Sequence, residues 1–154
     1  MALQPLVRIM AAVAVLCVPA APAASEEPRS VSEIVQDPDA FHLKHVTLVG
    51  VVAGVKMLEP YFLPSGTACY GAYTFVLEEE TGNGGFLDVA VLGVCGTPLI
   101  RMPDVSDGDN VTIEVDIQIP SRFGSSRGVQ TAPFFKGEPP AVQAIARKIT
   151  RSGQ

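Results

Sequence analysis

The chain has 154 residues, of which 47% are hydrophobic and 18% charged, with 14 glycines, 13 prolines, three cysteines and no tryptophan. That is one domain's worth of sequence, apolar enough to bury a core and too poor in charge for a disordered chain. Eleven bases against sixteen acids leave a formal charge of −5, which argues against attachment to nucleic acid through bulk positive charge.

Residues 1–24 have the form of a secretory signal. Arg8 precedes the apolar run Ile9 to Val18, and Ala21-Pro22-Ala23 supplies the small-residue cleavage site. The run is too short for a membrane-spanning helix, which needs roughly 20 apolar residues, and no longer one follows. With cleavage near Ala23, the expected product starts around Ser25, is periplasmic or secreted, and carries no transmembrane anchor. Loss of Arg8 and of no acid makes its charge one unit more negative.

In the remainder, Ser30-Val31-Ser32-Glu33 has the Ser-x-x-Glu spacing of a capping box. It predicts a short amphipathic helix that ends at Asp37-Pro38 and plugs one side of a core. Val46 to Val55 is rich in β-branched residues and is expected to form strand one, with Gly50 and Gly54 where a bent strand bulges. Residues 56–72 combine prolines and glycines with Tyr61, Phe62 and Tyr70 and are expected to be a long aromatic loop. Tyr73 to Glu79 and Phe86 to Val94 alternate as strands two and three around the turn signal Thr81-Gly82-Asn83-Gly84-Gly85.

The cleanest period of two follows. Val111, Ile113, Val115, Ile117 and Ile119 alternate with Asn110, Thr112, Glu114, Asp116 and Gln118, which predicts strand four with one wet face. Pro120 to Pro140 is a second long loop, holding Arg122, Phe123, Arg127, Phe134, Phe135 and Lys136. Ala141 to Ile149 is expected as strand five, and Arg151 to Gln154 as a frayed end. The domain therefore spans residues 25–150.

Once Cys17 leaves with the signal, Cys69 and Cys95 remain. An oxidising compartment and an even count favour a disulfide. Their numerical midpoint is Gly82, inside the hairpin turn, so the two should face each other at the hairpin's open end. Closing such a loop contributes roughly 3 to 4 kcal/mol by chain-entropy arithmetic.

Five strands, the first long and glycine-kinked, have the rhythm of a small all-β barrel. The series Val46-Thr47-Leu48-Val49-Gly50-Val51-Val52, then Tyr73 to Gly82, then Gly108-Asp109-Asn110-Val111-Thr112-Ile113, resembles the marks of oligonucleotide/oligosaccharide-binding (OB) folds. It is most similar to exported bacterial OB domains and the anticodon-binding-like group, in which a short helix precedes strand one. The likeness spans roughly residues 30–149. It departs from the pattern at residues 96–108, which are too short for the usual helix between strands three and four.

The resemblance implies a ligand across strands two and three, gripped by the loops after strands one and four. In this chain those loops supply Lys56, Tyr61, Phe62, Tyr70, Arg122, Phe123, Arg127, Phe134, Phe135 and Lys136. Rings stack on bases or sugars, and basic side chains beside them pair with phosphates or carboxylates. The acidic charge and the exported destination favour an envelope protein, peptide or glycan over single-stranded nucleic acid.

Catalysis has no supporting residue set, because no serine sits in a Gly-x-Ser-x-Gly elbow and neither histidine has a supporting context. His42 and His45 lack a second ligand pair, and with Met57 they are the candidates for a less favoured metal or haem carrier. The expectation is a binding module with no cofactor and no catalytic residues.

Overall fold

The computed structural model describes residues 27–80, 84–96, 102–122 and 141–152. The signal segment and Phe123, Arg127, Phe134, Phe135 and Lys136 lie outside them. Five strands close into a barrel: β1 (His45–Met57), β4 (Tyr73–Glu78), β5 (Phe86–Val91), β7 (Asn110–Gln118) and β8 (Gln143–Arg151), joined in the order β1-β4-β5-β8-β7. Neighbours are antiparallel except β5 and β8, which run parallel over Asp88–Ala90 and Gln143–Ile145. The small all-β barrel with a short N-terminal helix is the architecture expected from the sequence.

The alternation decides which side chains go inside. Tyr73, Phe75 and Leu77 of β4, Leu87 and Val89 of β5, and Val111, Ile113, Val115 and Ile117 of β7 all fill the interior. β1 contributes Val46, Leu48 and Val52. Its register with β4 shifts between Ala53 and Lys56, where Gly54 adopts φ +62°. Only glycine takes that conformation without cost, so the bulge expected from the sequence sits at Gly54.

Two different devices plug the barrel. At one end lies α1 (Val31–Gln36), with the capping box between Ser30 and Glu33 formed and Val31 and Ile34 fully buried. A one-turn helix α2 (Pro38–Phe41) follows, capped by the Asp37 side chain. The sequence does not announce it, because Asp37-Pro38 reads equally as a stop and as the start of a new first turn. The other end is closed by residues 102–109, which bring Val105 into the core. The backbone N–H of Asp104 donates to the buried Tyr73 hydroxyl at 3.4 Å.

The 58–72 loop is more ordered than a plain loop. Tyr61–Phe62 (β2), Ala68–Tyr70 (β3) and Val94–Cys95 (β6) form a separate three-stranded sheet in the order β2-β3-β6. The expected third strand thus breaks at Leu92-Gly93, and its tail crosses into this second sheet. Cys69 pairs with Cys95 across it, and the two are joined by a disulfide with their Cα atoms 3.9 Å apart. At the chain's end, Arg151 is not frayed: it pairs with Val111 and its guanidinium donates to the Asp104 carbonyl.

Candidate functional site

Strand direction separates the two long connections. The 58–72 segment leaves β1 at Met57 and re-enters at Tyr73, which pair with each other. The segment after β7 leaves beyond Gln118 and returns at Gln143, which also pair. Since β1 and β7 are antiparallel, the two stems emerge at opposite ends of the barrel and share no rim. Arg122 follows this geometry. It sits on a 3-10 turn (Pro120–Arg122) and pairs with Asp39 of α2 at 2.6 Å, at the end away from Tyr61, Phe62 and Tyr70.

The loop aromatics divide into two kinds. Tyr61 is partly buried and, with Leu58, packs on Ala72, Ala90 and Ile145, a small apolar cluster on the outer surface of the barrel. Tyr70 is half-buried beside Val94, whereas Phe62 is 64% exposed. Lys56 is exposed and pairs in register with Thr74. So the loop folds down over the outside of the sheet and does not cap the barrel mouth.

Below that loop the outer face continues across β1, β4 and β5. Lys56, Thr74, Ala90 and Ile145 are one cross-strand row; Ala53, Val76, Asp88 and Gln143 form the next; and Val51, Glu78 and Phe86 the third. All alternate with core residues, so all point outward. The loop covers Ala90 and Ile145 of the first row. The other two rows present two valines, an alanine, two carboxylates, the buried Gln143 and a ring, Phe86, that is 68% exposed. Val49, on the same side of β1, is 40% exposed.

The outer face of β7 and β8 is of the opposite character. His45 Nδ1 lies 3.0 Å from Asp116 Oδ1, and its Nε2 lies 3.7 Å from Glu114 Oε2. Arg147 Nε donates to Asp116 at 2.6 Å and Lys148 Nζ to Glu114 at 3.2 Å. A register shift in β7 and β8 between Glu114 and Val115 puts these two bases side by side. Partial burial opposes the charge on Asp116, but the hydrogen bonds and charges of His45 and Arg147 prevail and hold its carboxyl below the ordinary value. This face is polar and internally paired, as an antiparallel sheet's wet face should be.

Asp88 contrasts with several other acids. Asp107 accepts from the Val55 N–H at 2.8 Å, Asp109 from the Ser106 N–H at 2.8 Å, and Glu79 from Ser32. Asp88 makes no hydrogen bond or ion pair among the described residues, and burial pushes its carboxyl up from the ordinary value. Beside it Gln143 is buried and donates to the Gln118 side chain at 3.1 Å.

The residues proposed for metal or haem do not meet. His42 accepts from the Ile119 N–H at 3.2 Å, His45 belongs to the β7 network, and Met57 is at the far end of the thirteen-residue β1. Sequence reasoning missed Val49, Val51, Val76, Phe86 and Asp88 as surface residues. The signal was present in β1, where Val49, Val51 and Ala53 are apolar on the face that β7 fills with Asn110, Thr112 and Glu114. Among the described residues no helix is long and apolar enough to cross a membrane. No protein-family profile matches the chain, and no curated protein matches it.

Proposed function

We propose that this chain is an exported, non-catalytic binding module of the OB type that holds a protein, peptide or glycan partner on the outer face of β1, β4 and β5, beside the 58–72 loop. The reading rests on one observation: rows two and three of that face carry Val51, Ala53, Val76 and an exposed Phe86, while the equivalent face of β7 is polar and paired. Apolar surface of this kind on a sheet's outer side is normally covered. The five-stranded barrel with a long, bulged first strand supports the OB assignment. Tyr61 forms the upper wall of the face, and Phe62, Tyr70 and Lys56 stand along the same loop and strand end, so ring and cation chemistry is available there.

Amide chemical-shift titration of the exported chain tests this. Envelope extract fractions, soluble glycans and a labelled oligonucleotide at about 50 mM salt, where phosphate contacts are strong, are added in turn. A partner that perturbs Val51, Val76, Phe86 and Tyr61 supports the reading. Perturbation confined to β7 and β8, or to no residue, overturns it. Cell fractionation with detection of a shortened product tests export.

A further inference from the structure

We propose that the partner presents a lysine or arginine side chain to this face, seated against Phe86 with its cationic head at Asp88; this rests on the binding face proposed above. Three observations converge on one spot. Asp88 and Phe86 are two residues apart on β5 and point the same way, and their partners on β4 are Val76 and Glu78. The spot therefore carries an exposed ring, a valine and two carboxylates within two adjacent cross-strand rows.

A long cationic side chain matches each of these. Its methylene stem covers apolar surface while its head stays polar. A cation over a phenylalanine face is attracted by the ring's quadrupole. The head reaches an acid that has no other partner among the described residues and is partly desolvated, so pairing removes a cost already present in the free protein. Asp107, Asp109, Asp116 and Glu114 are already satisfied by backbone N–H groups or bases. Among the described residues the base on these rows is Lys56, in the first row and two strands away from the Asp88 column. Arg147 of β8 is tied to Asp116. A phosphate backbone would bring like charge to Asp88 and Glu78, so the charge pattern favours a basic peptide segment over nucleic acid.

The test uses the full exported chain and three blocked, extended octapeptides that alternate valine with lysine, with norleucine or with glutamate, alongside an oligothymidylate. The lysine peptide should shift the amides of Val76, Glu78, Phe86 and Asp88, with an affinity that falls as salt is raised. Asp88→Asn should weaken it by about tenfold and Phe86→Ala by a similar factor, with both variants retaining the parent's cooperative thermal unfolding. Equal binding of the norleucine or glutamate peptide, or an unchanged affinity in Asp88→Asn, overturns the cationic class. If the oligothymidylate or a glycan shifts the same residues and the lysine peptide does not, the face stands and this inference falls. If nothing shifts those residues, both fall.

Discussion

Cys69 lies directly opposite Cys95, and the pair continues the register of the barrel hairpin although it belongs to a different sheet. Tyr73 with Val91, Phe75 with Val89, Leu77 with Leu87 and Tyr70 with Val94 are all symmetric about residue 82. The disulfide therefore fastens the aromatic loop to the hairpin's extension without entering the barrel core. Replacing both cysteines with serine should lower stability by about 2 to 4 kcal/mol. Hydrogen-exchange protection should be lost first at Tyr61 to Tyr70, while β7 keeps its protection up to global unfolding. Urea denaturation and exchange mass spectrometry check the two parts.

At Gly93 the hairpin's second strand passes close to the first. A β-carbon built there would lie 2.6 Å from the Tyr70 carbonyl oxygen, a backbone atom with nothing to rotate away. Gly93→Ala should cost about 2 kcal/mol or more and loosen the β3–β6 pairing. Thermal unfolding with an exchange measurement on Tyr70 and Val94 would register both effects.

The plug helix is held from outside as well as by its own cap. Ser32 donates its backbone N–H and its hydroxyl to Glu79 at 3.0 and 2.8 Å, and these bonds hold the Glu79 carboxyl below its ordinary value. A carboxyl lowered in the folded state stabilises above its unfolded pKa and loses that contribution as pH falls through the folded one. Solvent screens this site, so Glu79→Gln should cost no more than about 1 kcal/mol at neutral pH. The difference should shrink below pH 4.5. Denaturation midpoints of the two proteins across pH decide it.

Asp88 carries the opposite sign. Its raised folded pKa favours the protonated native state, so stability is lost as pH rises through that value from the unfolded 3.8. Asp88→Asn should raise the melting temperature slightly at neutral pH and leave it unchanged well below pH 3.8. A destabilised variant at neutral pH would mean that the free carboxylate has a stabilising partner.

Two neighbours on α1 should behave differently. Ile34 is fully buried, and Ile34→Ala should cost about 2 to 5 kcal/mol because the barrel end cannot collapse onto the vacancy. Val35, 42% exposed, should tolerate alanine within about 0.5 kcal/mol. Equilibrium unfolding of both variants makes the comparison.

Much of this architecture is legible in the sequence because it is written in local patterns. β7 follows a strict period of two, the hairpin and the cysteine pairing share one midpoint, and the capping box marks α1. What is not legible depends on contacts between distant segments. β2 and β6 have two residues each, too few for any periodicity, and they exist because the hairpin's extension offers them a partner. Which barrel end each long loop leaves is a property of strand order, so composition alone groups Arg122 with the loop aromatics although the two lie apart. The apolar outer face is hidden in the sequence because valine is also the preferred strand residue: Val49 and Val51 look like strand formers before they look like surface.

The parallel pairing of β8 with β5 also has a kinetic meaning. Until the last nine-residue strand arrives, the sheet is an open ribbon with unpaired peptide groups along both β5 and β7. Ribbons of that kind recruit other chains. Aggregates formed during refolding should therefore be built from molecules in which β8 has not yet docked, and a truncation before Gln143 should precipitate where the chain that retains β8 stays dispersed.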